Sequence, residues 1–187
     1  MRLFTAIELT DEARAAITAE QKRVAAGLGD AAGALRFVRT EHLHLTLVFL
    51  GEVAEESAAS IIETMSGEIL HAPFHLVFGG LGVFPPRGAP RVLWLGVVDG
   101  ARQAIDLQAR VADRLTSAGV AVERKPFHPH LTLARWRDQR RSARPVLAAT
   151  PGVVAAVDVS AVALVQSRLS SAGPSYTRLS QARLLCP

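Results

Sequence analysis

The chain has 187 residues, 49% of them hydrophobic and 20% charged, with a formal net charge of +4. That balance excludes a disordered chain, and the length is enough for one domain or two small lobes with a substantial core. No apolar run reaches the roughly 18 residues a membrane-spanning helix needs, and no signal peptide is expected, because Glu8, Asp11 and Glu12 follow Arg2 closely without a long apolar stretch.

Residues 3 to 9 predict a strand. Asp11 is the expected N-cap of a helix to about Leu28, with Ala15, Ile17, Val24 and Leu28 at helical spacing. Gly27, Gly29 and Gly33 close it. Arg36-Phe37-Val38 is a short strand segment, and His42 to Leu50 is a strand stopped by Gly51. A helix is expected from about Glu55 to Leu70, then a strand from Phe74 to Phe78. The turn-rich stretch from Gly79 through Pro90 lacks the Lys-Ser/Thr ending of a nucleotide-binding loop and reads as a connection between two lobes. Val92 to Val98 predicts a strand, Ala101 to Ala118 a helix, Val120 to Val122 a strand segment and Phe127 to Arg135 a strand. Residues 145 to 152 read as a loop or short helix. Val153 to Gln166 and Tyr176 to Leu185 close the chain as strands, with Ser170 to Ser175 as their turn.

Two segments in this series are identical. His44-Leu45-Thr46-Leu47 recurs as His130-Leu131-Thr132-Leu133, 86 positions later. Each is preceded by strand, helix and strand segment, so the two halves read as a degenerate duplication forming pseudo-symmetric lobes within residues 1–187. On a strand, His and Thr at i and i+2 share a face, and Leu45, Leu47 and Phe49 are expected to point the other way, into the core. Each motif then offers an imidazole and a hydroxyl side by side.

The basic residues are nearly all arginine, with Lys22 and Lys125 the only lysines. Arginine forks suit phosphate oxygens. Arg135, Arg137, Arg140, Arg141 and Arg144 follow the second motif. The last three read as a solvated basic loop, whereas Arg135 lies three residues beyond Thr132 and reads as in phase with the motif strand. Aromatic residues make up only 5%, which argues against a broad base-stacking sheet. The single cysteine, Cys186, cannot close an internal disulfide and fits a reducing, cytoplasmic setting.

A phosphodiester held between the two strands would find Thr46 and Thr132 at its non-bridging oxygens and Arg135 against its charge. One imidazole can accept a proton from water while the other donates one to the leaving oxygen, because histidine titrates near neutrality. No metal or other cofactor is required. A competing reading sets His42 with His44 and His128 with His130 as two H-x-H pairs on strands, a spacing that suits zinc. Only Glu41 is close enough in sequence to orient such ligands, and the paired threonines would go unexplained. His71 and His75 follow neither pattern and read as structural or exposed.

The residues resemble the 2H phosphoesterase superfamily, and within it the RNA 2′,3′-cyclic phosphodiesterases, also called 2′-5′ RNA ligase-like proteins. The likeness spans nearly the whole chain. It runs from Arg2-Leu3-Phe4 and His44-Leu45-Thr46-Leu47 with Phe49-Leu50-Gly51, through Gly82-Val83-Phe84-Pro85 and Pro90-Arg91-Val92-Leu93-Trp94. It ends with Pro129 to Arg135 and a tail of Gln166-Ser167, Gly173 and Tyr176. Phe37 departs from it, since relatives often carry tryptophan there. The resemblance implies an α+β, bilobal fold with antiparallel sheets, outer helices and a groove between the lobes. It implies metal-independent hydrolysis of RNA-terminal 2′,3′-cyclic phosphate to a 2′-phosphate, with 2′-5′ ligation as the reverse. His44 would be the proton donor and His130 the proton acceptor, with Thr46, Thr132 and Arg135 on the phosphate. The partners implied are cyclic-ended RNA such as tRNA fragments, or nucleoside cyclic phosphates, met by a monomer without a membrane. The alternatives are another cyclic phosphate, such as ADP-ribose 1″,2″-cyclic phosphate or a 2′-5′ oligoadenylate, and an RNA-binding module with little catalysis.

Overall fold

The computed structural model describes residues 1–123, 125–138, 144–147, 152–170 and 173–186. The first apolar segment forms β1 (Arg2–Glu8), whose five inner residues are all buried. Both of its faces are covered. Leu3 and Ile7 enter the main core, while Phe4 and Ala6 pack with Ala163 and Val165 on the opposite side. Helix α1 (Asp11–Leu28) is capped by Thr10, not Asp11: the Thr10 hydroxyl accepts from the Ala13 N–H at 3.2 Å. Asp11 and Glu12 sit instead in the first turn, where carboxylates suit the positive end of the helix dipole. Gly29 ends the helix with φ of 53°, a conformation that suits glycine.

The strands β2 (Leu35–Phe37) and β3 (His44–Glu52) follow, then α2 (Glu55–Thr64), β4 (Ile69–Leu70), β5 (Phe74–Phe84) and β6 (Val92–Asp99). Helix α3 (Ala101–Ser117) leads towards β7 (His130–Trp136), and β8 (Ala155–Val159), β9 (Ala161–Ser170) and β10 (Gly173–Leu185) complete the order. The strands form two sheets, ordered β3-β1-β9-β10-β4 and β2-β7-β6-β5-β8. Each sheet carries one histidine motif strand, and the α+β class expected from the resemblance is met. Among the described residues every pairing is antiparallel except that of the two-residue β4 with β10.

Several expectations change in three dimensions. The short strand segment predicted at residues 36–38 forms as β2, one residue earlier, and pairs with β7 in the other sheet. Residues 120–122 form no strand. The span 153–166 is two strands in different sheets, parted at Ser160, so the chain crosses from one sheet to the other there. Helix α2 stops at Thr64, and Ile69 and Leu70 turn back as β4. The stretch from Gly79 to Phe84 is not a connection but the second half of β5, with a register shift beside Gly80. The turn expected from Ser170 to Ser175 is shorter, because Ser170 belongs to β9 and Gly173 to Ser175 belong to β10; its residues 171–172, together with Arg140, Arg141 and residues 148–151, lie outside the described residues.

One continuous core joins both sheets and the helices. It takes Leu45, Leu47 and Val48 from β3, Leu131, Leu133 and Ala134 from β7, Ile17 and Val24 from α1, and Leu107, Val111 and Leu115 from α3. Among the described residues no helix is long and apolar enough to cross a membrane. The glycines of β5 have a packing reason. Gly82 pairs with Trp94, and a Cβ at Gly82 would lie 2.0 Å from an indole carbon. Replacing Gly82 by valine must displace that indole or the strand. Overpacking of this kind costs about 1–3 kcal/mol, so the urea midpoint of Gly82→Val should fall well below wild type. An unchanged midpoint would mean that the indole moves freely.

Candidate active site

Strict alternation does not describe the histidine strands. Ala6 pairs with Thr46 and Thr5 with Val48, so Leu47 has no partner on β1. Trp94 pairs with Thr132 and Leu93 with Ala134, so Leu133 has none on β6. Each motif thus contains a β-bulge at its fourth residue. A bulge adds one residue and reverses the phase of everything after it. Both Leu47 and Val48 therefore face the core, as do Leu133 and Ala134. The first six residues of β3 and β7 share one burial pattern, with the sixth exposed in each.

The sixth residues are Phe49 and Arg135, which this phase change brings to the histidine side. Phe49 does not enter the core as alternation predicts; it is 60% exposed. Arg135, five residues after His130, would face away on an unbroken strand. Instead it lines the same groove as His44, Thr46, His130 and Thr132, a cavity of about 670 Å³. All five residues singled out from the sequence are thus gathered on one wall system, and β3 and β7 approach one another beneath it.

The two imidazoles are held alike. His44 Nδ1 lies 2.7 Å from the carbonyl oxygen of His42, and His130 Nδ1 lies 2.7 Å from that of His128. A carbonyl oxygen only accepts, so Nδ1 carries the proton in both rings. In the neutral tautomer Nε2 is then the bare nitrogen. His44 Nε2 lies 3.0 Å from the Thr46 hydroxyl, which donates to it when the ring is neutral.

The surroundings of the rings differ. His44 is stacked on Phe4, with centroids 4.8 Å apart and planes 27° apart, and meets Tyr176 edge-on at 5.4 Å. His130 meets Phe84 at 5.0 Å and 83°. Burial pushes the pKa of both histidines below the ordinary value, and the positive charge of Arg135 pushes both the same way. The hydrogen bonds to the carbonyls oppose this without overcoming it. Burial raises the Tyr176 hydroxyl, so it stays protonated.

The H-x-H reading loses its geometric premise. His42 ends a 3₁₀ turn (Thr40–His42) and His128 precedes β7, so neither lies on a strand with its motif histidine. The His42 ring packs on Tyr176 at 4.7 Å. Among the described residues no three His, Cys, Asp or Glu side chains converge as metal ligands. What His42 and His128 supply is a backbone carbonyl. The repeated two-residue spacing was visible in the sequence, but its use by the main chain was not. Sequence reasoning also missed the aromatic supports, Phe4 and Phe84. Of the other histidines, His71 is buried against Phe74, and exposed His75 pairs with Asp158 at 2.8 Å. Arg144 donates to the Pro85 and Gly88 carbonyls, and the exposed Arg137 does not line the groove.

The sequence profile of the 2′-5′ RNA ligase superfamily matches residues 10–170. The chain belongs to this superfamily. Among superfamily members, the RNA 2′,3′-cyclic phosphodiesterase of Aeropyrum pernix is 39% identical over 152 residues, covering 80% of this chain and 86% of that protein. The RNA 2′,3′-cyclic phosphodiesterase of Archaeoglobus fulgidus is 34% identical over 180 residues, 96% of this chain and 98% of that one. The crystal structure of Escherichia coli LigT complexed with 3′-AMP superposes with a TM-score of 0.78 at 30% identity, covering 98% of this chain and 97% of that chain.

The depressed histidine pKa values make stability depend on pH. Below about pH 6.5, an unfolded histidine binds a proton that the buried ring resists. The unfolded state then holds more protons, so stability falls as pH drops from that value through the folded pKa, and is level above it. Urea unfolding of wild type and of His44→Gln should show a smaller loss in the variant between pH 7.5 and pH 5. Equal losses would mean that His44 is not held neutral.

Proposed function

We propose that this protein hydrolyses the 2′,3′-cyclic phosphate at an RNA end to a 2′-phosphate, with His44 as general acid and His130 as general base. The observation that carries the reading is the pair of backbone-locked imidazoles, each with Nε2 as its working nitrogen, in one groove with Thr46, Thr132 and Arg135. Two members of the superfamily named for that activity, at 39% and 34% identity, support the substrate class.

In this reaction a water oxygen attacks phosphorus, and its proton goes to Nε2 of His130. The bond from phosphorus to O3′ breaks, and Nε2–H of His44 gives its proton to O3′. The 2′-phosphate remains, and the two rings recover their starting states by exchange with solvent. Thr46 and Thr132 hydroxyls donate to the non-bridging oxygens. Arg135 offsets the charge that builds there, where positioned donors contribute most to rate. Assigning the acid to His44 is supported by its stack on Phe4, since an aromatic face stabilises a cation above it. Arg135 disfavours both imidazolium forms in the free protein. A bound phosphodiester anion reverses that balance and raises the histidine pKa values. One chain supplies every group, so a monomer is sufficient. An RNA substrate and the exposed Cys186 fit the cytoplasm.

The test is incubation of a 2′,3′-cyclic-ended oligonucleotide in EDTA, with product identification. Hydrolysis to the 2′-phosphate should persist. His44→Ala and His130→Ala should each lower the rate by about 10²–10⁴, the usual worth of a positioned acid or base. The double variant should lose less than the product of the two losses, because both act on one transition state. A 3′-phosphate product, turnover only of ADP-ribose 1″,2″-cyclic phosphate, or full activity without either histidine would overturn the reading.

A further inference from the structure

We infer that Gln21, on α1, is a positioning residue for Arg135, acting through the bulge at Leu133. This inference rests on the proposed contact of Arg135 with phosphate. Gln21 is only 6% exposed. Its amide nitrogen donates to the carbonyl oxygen of Leu133 at 2.9 Å and to that of Val38 at 2.9 Å. Both amide protons are thereby used. The Leu133 oxygen also accepts from the Val38 N–H at 2.8 Å, which fills both of its lone pairs. Leu133 is the residue that the bulge leaves without a partner on β6. Gln21 thus fastens the extra residue of β7 from the helix side, at the point where the strand changes phase.

What depends on that point is the direction of Arg135, two residues on. A bulge that relaxed to regular pairing would turn Arg135 towards the core face and Ala134 towards the groove. A buried glutamine costs stability unless both donors are satisfied, and an apolar side chain would fill the same space. The amide therefore specifies a geometry that packing alone would not. The equivalent bulge at Leu47 is tied by another device: the buried Thr5 hydroxyl accepts from the Val48 N–H at 3.1 Å. The residue it presents is Phe49, whose apolar ring needs no aim at a single oxygen. Arg135 must direct a guanidinium, and small misplacements from outside the chemistry can cost large factors in rate.

The test compares kcat and KM on a 2′,3′-cyclic-ended oligonucleotide for wild type, Gln21→Met, Arg135→Ala, Thr5→Val and the two double variants containing Arg135→Ala. Gln21→Met should lower kcat/KM by about 10-fold, divided between kcat and KM as in Arg135→Ala. The Gln21→Met/Arg135→Ala double should be within about threefold of Arg135→Ala alone, since the coupled residues share one effect. Thr5→Val acts on the other strand, so its loss should multiply with that of Arg135→Ala. Urea unfolding of each variant ensures that the rates compare folded protein. If Gln21→Met does not fold, Gln21→Glu keeps the volume and, when ionised, removes both donors. Unchanged kinetics, or a Gln21 loss that multiplies with that of Arg135→Ala, would overturn the inference. If Arg135→Ala itself were without effect, the phosphate reading of Arg135 would fail and the inference with it, an outcome distinguished by that single variant.

Discussion

One extra residue at the fourth position of each histidine motif, Leu47 and Leu133, decides which side chains can reach the groove. Up to the bulge, alternation separates His and Thr from Leu. After it, two consecutive residues face the core, and the next one returns to the histidine side. Without this change Arg135 would be driven towards Leu131 and Leu133, where an unpaired guanidinium is prohibitively costly. Phe49 would replace the smaller Val48 in the core beside Leu45 and Leu47. The same defect, placed twice, builds a polar wall and an aromatic one from nearly the same six residues.

Electrostatics then follow from burial. Two imidazoles lie over apolar or aromatic supports, with a cationic arginine in the same groove. Both are thereby biased towards the neutral form, and the carbonyls of His42 and His128 choose which nitrogen keeps the proton. An anionic ligand is the natural complement to such a site, because its charge balances Arg135 and allows an imidazolium to form. A neutral ligand would leave that arrangement unbalanced.

Much of this was legible in the chain. Helices α1 and α3 follow their apolar spacing to within a residue at each end, since long amphipathic segments carry a strong periodic signal. The histidine and threonine pairs share faces because period two holds before the bulge. The bulge itself is written as two apolar residues in a row, Leu47-Val48 and Leu133-Ala134, but such a run also fits an ordinary buried strand. The position of Phe49 was therefore misread, and Arg135 reaches the groove through the bulge and not through unbroken strand phase. Partner choice was not local at all. Nothing in Leu35–Phe37 says that it pairs with β7, and a single interruption at Ser160 sends β8 and β9 to different sheets. The glycines at 79, 80 and 82 looked like a linker because the Trp94 indole that needs the space at Gly82 is far along the chain. Gln21 gave no signal, since one polar residue on a helix is ordinary until its two carbonyl partners are known.

The central claim is that His44 and His130 both stand as neutral rings protonated at Nδ1, with Nε2 free for proton transfer. Nitrogen-15 NMR of the histidine side chains in the free protein at neutral pH reads this directly. The account predicts that both residues show a protonated Nδ1 and an unprotonated Nε2, and that a bound phosphate ligand moves at least one ring towards the imidazolium. A proton on Nε2 of either ring in the free protein, with Nδ1 bare, would contradict it.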